Sequence, residues 1–170
     1  MSFKLTWKGY AICILISVIL ILILNPIFDG ILSDLFHQDI IFYPTKNLVV
    51  NFYLYSMLLM IPITVVHEMM HGAAYKVFGG KVKFGFNGIY AYTMETSGKK
   101  IPRLQFLIVL LAPLTVISVL SLLFPGWLGR SIFFLNLIGA SGDIYMALFL
   151  CRFSYYSKII DRSYGFDIVE

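Results

Sequence analysis

Charge is what this chain has least of: Asp, Glu, Lys and Arg make up 13% of its 170 residues, where soluble domains carry about 25%. Hydrophobic residues fill 59% of it, and the mean hydropathy is +0.86. A chain this short cannot hide so much apolar surface in one water-soluble core, so an ordinary soluble domain is excluded. Cysteine is nearly missing too. Cys13 and Cys151 lie in or at the ends of apolar segments without framework spacing, which argues against a disulfide scaffold or a cysteine metal site. No repeat, low-complexity tract or linker interrupts the chain, so residues 1–170 read as a single membrane-embedded domain. The net charge of +4 and the pI near 9.0 would suit a nucleic-acid partner. The basic residues are instead sorted between apolar segments, which speaks for a lipid bilayer and against nucleic acid.

A membrane-spanning helix needs about 20 mostly apolar residues. Four segments meet that need, at about 10–28, 48–78, 104–124 and 131–151. The first could pass for a signal peptide. Its apolar run is too long for one, however, and Asn25-Pro26-Ile27-Phe28 is no small-residue cleavage site, so it reads as a retained span. Eleven of the 13 Lys and Arg residues fall before the first span, between the second and third, or after the fourth. Only Lys46 and Arg130 occupy the other two loops, beside Asp29, Asp34 and Asp39. By the positive-inside rule this predicts a multi-pass protein of the cell membrane with both termini cytoplasmic. Between the second and third spans, Lys81 to Glu95 reads as two alternating runs joined by Asn87-Gly88, a hairpin signal. The expected fold class is therefore an all-α membrane protein: four transmembrane helices with a short cytoplasmic β-hairpin.

The chemistry concentrates in the second span, at His67-Glu68-Met69-Met70-His71. Two His four residues apart lie on one helix face, one turn apart, and that spacing lets both imidazoles ligate one Zn2+ at about 2.0–2.1 Å. Glu68 then stands beside the metal, placed to take a proton from zinc-bound water and pass it to the leaving amine. A blander reading makes His67 and His71 buried hydrogen-bonding groups and Glu68 their structural partner. Each ionisable residue in a span costs roughly 2.5–3.5 kcal/mol, and this span carries three such residues together. Pro62 would loosen the helix ahead of the motif, and Gly72 leaves room beside His71.

A catalytic zinc site needs a third protein ligand and an open position. Ala74 and Val77 stand where the longer HExxHxxGxxH motif needs Gly and His. His37 lies in the acidic outer loop, and Glu95 in the cytoplasmic hairpin, where solvation is expected. Asp143 remains, the one ionisable residue inside the third or fourth span. His67 and Asp143 each precede the basic residue closing its span (Lys76 and Arg152) by nine positions. Both thus sit roughly 13 Å in from the same face, and Asp143 is the expected third ligand. Asn136, Ala140, Asp143 and Ala147 form a small and polar stripe on the fourth span. Asn136 is the candidate substrate-binding residue on it, with helix packing as the alternative.

These residues resemble a family of small bacterial membrane zincin peptidases, relatives of the site-2 intramembrane metalloproteases. The resemblance is carried by His-Glu-Met-Met-His-Gly at 67–72, Lys-Phe-Gly-Phe at 83–86, Leu-Ala-Pro at 111–113, and Asn136 with Ser141-Gly142-Asp143. It covers most of the chain from about residue 50. Site-2 proteases set their third ligand in Leu-Asp-Gly, whereas Asp143 here stands in Ser-Gly-Asp-Ile. The resemblance implies peptidase activity on a membrane protein or peptide, and leaves substrate and oligomeric state open. Two other classes stay in view. A non-catalytic zinc-binding regulatory partner would need a closed four-ligand site, and a metal transporter would need ionisable residues along a whole path. Asp161 and Tyr164-Gly165-Phe166 resemble the family's ending and suggest no role by themselves.

Overall fold

The longest helix begins where Asn47 offers its side-chain oxygen to the main-chain N–H groups of Val49 and Val50, an N-cap of the usual kind. In the computed structural model, which describes residues 1–36, 44–86, 88 and 90–169, this helix is α3, Leu48–Val77. It runs unbroken through Pro62 and ends in a Schellman motif. There Gly79 takes φ 74°, its N–H donates to Lys76 O, and Gly80 N–H donates to Tyr75 O. Before α3 come α1 (Trp7–Ile23) and α2 (Asn25–Phe36). After it come α4 (Arg103–Ser121), α5 (Gly126–Gly139) and α6 (Ser141–Leu150).

Two of these helices, α3 and α4, are long and apolar enough to cross a membrane on their own. The first and fourth expected spans are bent helix pairs, α1–α2 at 68° and α5–α6 at 49°, so the chain has two to four candidate spans. This corrects the expectation of four plain transmembrane helices. Pro26 brings no N–H to a ladder running on from α1, and the Asn25 side chain donates to Asp29 Oδ2 at 2.9 Å on the surface of α2. The second bend falls at Ala140, among Gly139, Ser141 and Gly142, where helix propensity is weakest. The outer surface of the spans is largely apolar. Leu22, Met57, Leu58 and Ile61 are each at least 66% exposed, and only 11% of the most apolar stretch of α3 is buried. Contiguous exposure on that scale fits lipid rather than water.

The all-α expectation is corrected as well, because six strands in two sheets accompany the helices among the described residues. The anticipated hairpin is β2 (Val82–Phe86) against β3 (Ala91–Glu95), antiparallel from Val82↔Glu95 to Phe86↔Ala91. Asn87 of the expected turn lies outside the described residues, as does His37. The second sheet was not anticipated. It joins β1 (Ser2–Lys4), β4 (Ile101–Pro102), β5 (Lys158–Arg162) and β6 (Gly165–Val169) in the order β1-β6-β5-β4. The two ends of the chain therefore pair with each other, Phe3 opposite Phe166, with their rings stacked at 4.9 Å. This sheet packs on the helix ends through one buried cluster that includes Phe3, Tyr75, Phe106, Leu150, Ile159 and Phe166. It carries β5 up to the hairpin, below the helix that bears the His pair.

Candidate metal centre

His67 and His71 project from one face of α3, their ring centroids 4.9 Å apart and their planes at 78°. Asp143 meets them from the first turn of α6, where the helix's positive end favours a carboxylate. Its Oδ2 lies 3.0 Å from His67 Nε2 and its Oδ1 3.5 Å from His71 Nε2. The three residues are the group whose donor atoms converge within 4.8 Å of one another among the described residues. Tetrahedral zinc with ligands at about 2.0–2.1 Å separates those ligands by about 3.3 Å, so the spacing fits.

The partners on the far side of each ring fit too. His71 Nδ1 donates to the Val109 carbonyl of α4 at 2.8 Å. His67 Nδ1 faces Asn136 Oδ1 at 3.3 Å, and the Asn136 amide nitrogen faces the carbonyls of Pro113 and Leu114 at 3.4 and 3.5 Å. Carbonyls only accept, which orients the amide and puts the proton of each ring on Nδ1. Both Nε2 atoms then face the Asp143 carboxylate, an arrangement that a cation shared between them would satisfy. Such outer partners are what orient metal-bound histidines elsewhere. The structure thus places Asn136, buried at 1% exposure, directly behind His67.

Glu68 stands half-buried next to this cluster and turns toward the hairpin. The Thr93 hydroxyl lies 2.8 Å from Glu68 Oε2 and 2.9 Å from its main-chain oxygen. The hairpin is pressed against α3 here: a Cβ at Gly72 would come within 2.5 Å of Phe84 Cζ. The room left by Gly72 is thus filled by β2. His67 and Glu68 border two cavities, of about 310 Å³ and 300 Å³. The first also takes in Asp143, His71, Thr93 and Asp161. The second is lined by Asn136, Thr64, Phe86 and the apolar Met60 and Leu135.

Glu95 is buried, not solvated, at 3% exposure. Its carboxylate accepts from the N–H groups of Lys81, Ser97 and Lys99 and from the Ser97 hydroxyl, so it ties the loop after β3 and is not one of the metal cluster's three residues. Burial would raise its pKa, but these bonds outweigh that and hold it below the usual carboxylate range. Asp161 on β5 has the opposite balance. Its Oδ2 accepts from the Tyr75 hydroxyl at 2.8 Å and the Glu95 N–H at 2.8 Å, yet burial, with the Glu95 charge nearby, pushes it up to about 6. The folded protein therefore holds a proton that the unfolded chain releases above about 4. Stability contributed by this group is present at low pH and is lost as pH rises from about 4 to about 6. Asp161→Asn keeps an acceptor oxygen and removes the titration. Its thermal midpoint in detergent should gain on wild type through that window and run parallel above it; a constant difference would show that the carboxyl does not titrate there.

Sequence reasoning missed Thr93 and the Val109 carbonyl. Thr93 sits in the alternation of the hairpin with nothing to mark it, and a main-chain oxygen has no residue signature. Asp161 was visible in the sequence but had no assigned partner.

Two to four candidate spans, consistent with membrane association, thus accompany a His-His-Asp group that could hold a metal ion, with Glu68 alongside. The chain belongs to the family described as "Putative zincin peptidase", whose model matches residues 58–157. That stretch contains all three cluster residues, Glu68, Thr93 and Asn136. Neither the comparison with curated proteins nor the comparison with solved structures gave a match.

Proposed function

We propose that this chain is a membrane-embedded zinc metalloprotease of the site-2 type, hydrolysing peptide bonds of a membrane protein or peptide near the cytoplasmic side. The observation that carries the reading is the convergence of His67, His71 and Asp143 beside Glu68 on an apolar helix. The cytoplasmic placement is supported by the basic residues, eleven of 13 of which lie on the side expected to face the cytoplasm, with both termini there.

Two Nε2 atoms and the Asp143 carboxylate would hold the metal, leaving a position open for chemistry. Zinc, when bound, supplies Lewis acidity that acidifies water and polarises a peptide carbonyl. Glu68 Oε2 is held by Thr93, which leaves Oε1 to accept the proton from the attacking water and return it to the leaving amine. Asn136 keeps His67 in its ligating tautomer. Its amide nitrogen is held by long bonds to the Pro113 and Leu114 carbonyls, which a substrate carbonyl in the second cavity would have to replace. The substrate lies extended beside Thr93, added as a strand to β3.

The test is quantitative proteomics of membranes carrying wild-type protein against membranes carrying Glu68→Gln. Substrates should accumulate uncut in the variant. Indistinguishable peptide profiles would sink the reading.

A further inference from the structure

We propose that Asp161 ends the peptide-binding edge of β3: an extended substrate pairs with the main chain at Ala91 and Thr93 and is turned off the strand at Glu95. The inference rests on the peptidase reading above and names a residue that sets how much backbone the enzyme reads.

The parity of the hairpin decides which main-chain groups are free. Thr96 N–H donates to Lys81 O at 2.7 Å, so positions 81 and 96 continue the ladder in the hydrogen-bonded phase, although Lys81 N–H goes to Glu95 Oε1 instead of Thr96 O. Pair types alternate along an antiparallel ladder. Val82 with Glu95, Phe84 with Thr93, and Phe86 with Ala91 are consequently the pairs whose N–H and C=O groups point away from the partner strand. On β3, which has β2 on one side only, Ala91, Thr93 and Glu95 present these groups to the outer edge. Ala91 and Thr93 make no main-chain bond beyond the hairpin among the described residues. Both line the metal cavity together with Glu68. Since Thr93 also holds the Glu68 carboxylate, a backbone paired at Thr93 lies in register with the base.

The third outward position is closed. Glu95 N–H donates to Asp161 Oδ2 at 2.8 Å, where the carbonyl of an added strand would otherwise sit. The carboxylate has little freedom to withdraw. Its strand is paired on both sides, by β6 and β4, and the same oxygen receives the hydroxyl of Tyr75, one helical turn beyond His71. A peptide carbonyl arriving at Glu95 would lose its donor and face a carboxylate. Thr93 and Glu95 are two residues apart, about 6–7 Å along a strand, so the open edge stops shortly past the base. A way out exists at that point. Asp161 also borders an outer cavity of about 420 Å³, lined by Tyr10, Met94, Arg162 and Tyr164, which shares Thr93 and Tyr92 with the metal cavity. A substrate leaving β3 at Glu95 passes into it.

The probe is a phosphinic peptide, with its zinc-binding group in mid-chain, lengthened one residue at a time at either end. Its affinity for the full-length, zinc-loaded protein in detergent is measured together with amide hydrogen exchange at single-residue resolution. Without peptide, the Glu95 amide should exchange slowly and those of Ala91 and Thr93 quickly; the bound peptide should protect Ala91 and Thr93. Lengthening toward Asp161 should stop improving affinity in wild type and in Asp161→Asn, which keeps the acceptor. In Asp161→Ala the next residue should tighten binding about three- to tenfold, the worth of one hydrogen bond. The inference is overturned if wild type gains equally from that residue, or if the Glu95 amide exchanges as fast as that of Thr93. The exchange measurement on wild type decides the matter even where Asp161→Ala does not fold. A protein that binds zinc but no phosphinic peptide overturns the peptidase reading and this inference with it; one that binds the peptide without a length limit overturns this inference alone.

Discussion

Glu68→Gln should keep one zinc per chain and lose peptidase activity by about 10²–10⁴-fold, the usual worth of a positioned general base. The substitution preserves size, and Gln still offers an oxygen to the Thr93 hydroxyl, now 2.8 Å from Glu68 Oε2. Packing of the hairpin on α3 is therefore retained, and the metal cluster, which does not include Glu68, is untouched. What disappears is the ability to accept a proton. Zinc content by elemental analysis and cleavage of the substrates found by proteomics give the two readouts. Full zinc with abolished cleavage separates an enzyme from a zinc-binding regulatory partner, for which Glu68→Gln would change nothing. Retained cleavage would remove Glu68 from the chemistry altogether.

The parts of this site that were legible in the sequence share a property: each rests on a period or a depth. His67 and His71 declare themselves by a spacing of four on an apolar helix, and Asp143 by its position relative to the end of its span. That spacing survives folding because α3 is continuous through the motif. Hydropathy alone cannot register a bend, however. Residues 126–150 are apolar on both sides of Ala140, and the break there makes Asp143 a first-turn residue of α6 rather than the middle of a long helix. Sheet β1-β6-β5-β4 was invisible for another reason. Its strands are two to five residues long, and its pairing joins Ser2 to Asp167, a separation beyond any local pattern. Glu95 was misjudged as solvated because the groups that bury it lie on both flanks of the hairpin, at Lys81 and at Ser97 to Lys99. Asp161 acquires a partner only once β5 is brought to β3, which again is a fact of the long-range sheet.

Removing Asp143 should have the largest effect on metal. Asp143→Ala is expected to bring zinc from one per chain to near zero under buffered micromolar zinc, and Asp143→Asn to bind it far more weakly than wild type. The carboxylate supplies the one formal negative charge among the three donors, in a site where Asp143 is 8% and His71 7% exposed. A divalent ion transferred there with two neutral imidazoles alone would leave most of its charge uncompensated in a poorly polarisable environment. Asp143 also faces both histidines, one oxygen to each, so its loss removes the donor that closes the site opposite them. Asn136→Ala acts one shell further out, by freeing the His67 ring, and should cost about 10–100-fold in zinc affinity while leaving the stoichiometry at saturation near one. The order of the effects is the discriminating result. If Asp143→Ala held zinc more tightly than Asn136→Ala, the third ligand would have to come from elsewhere, and no other carboxylate, imidazole or thiol among the described residues joins His67 and His71 within metal-binding distance.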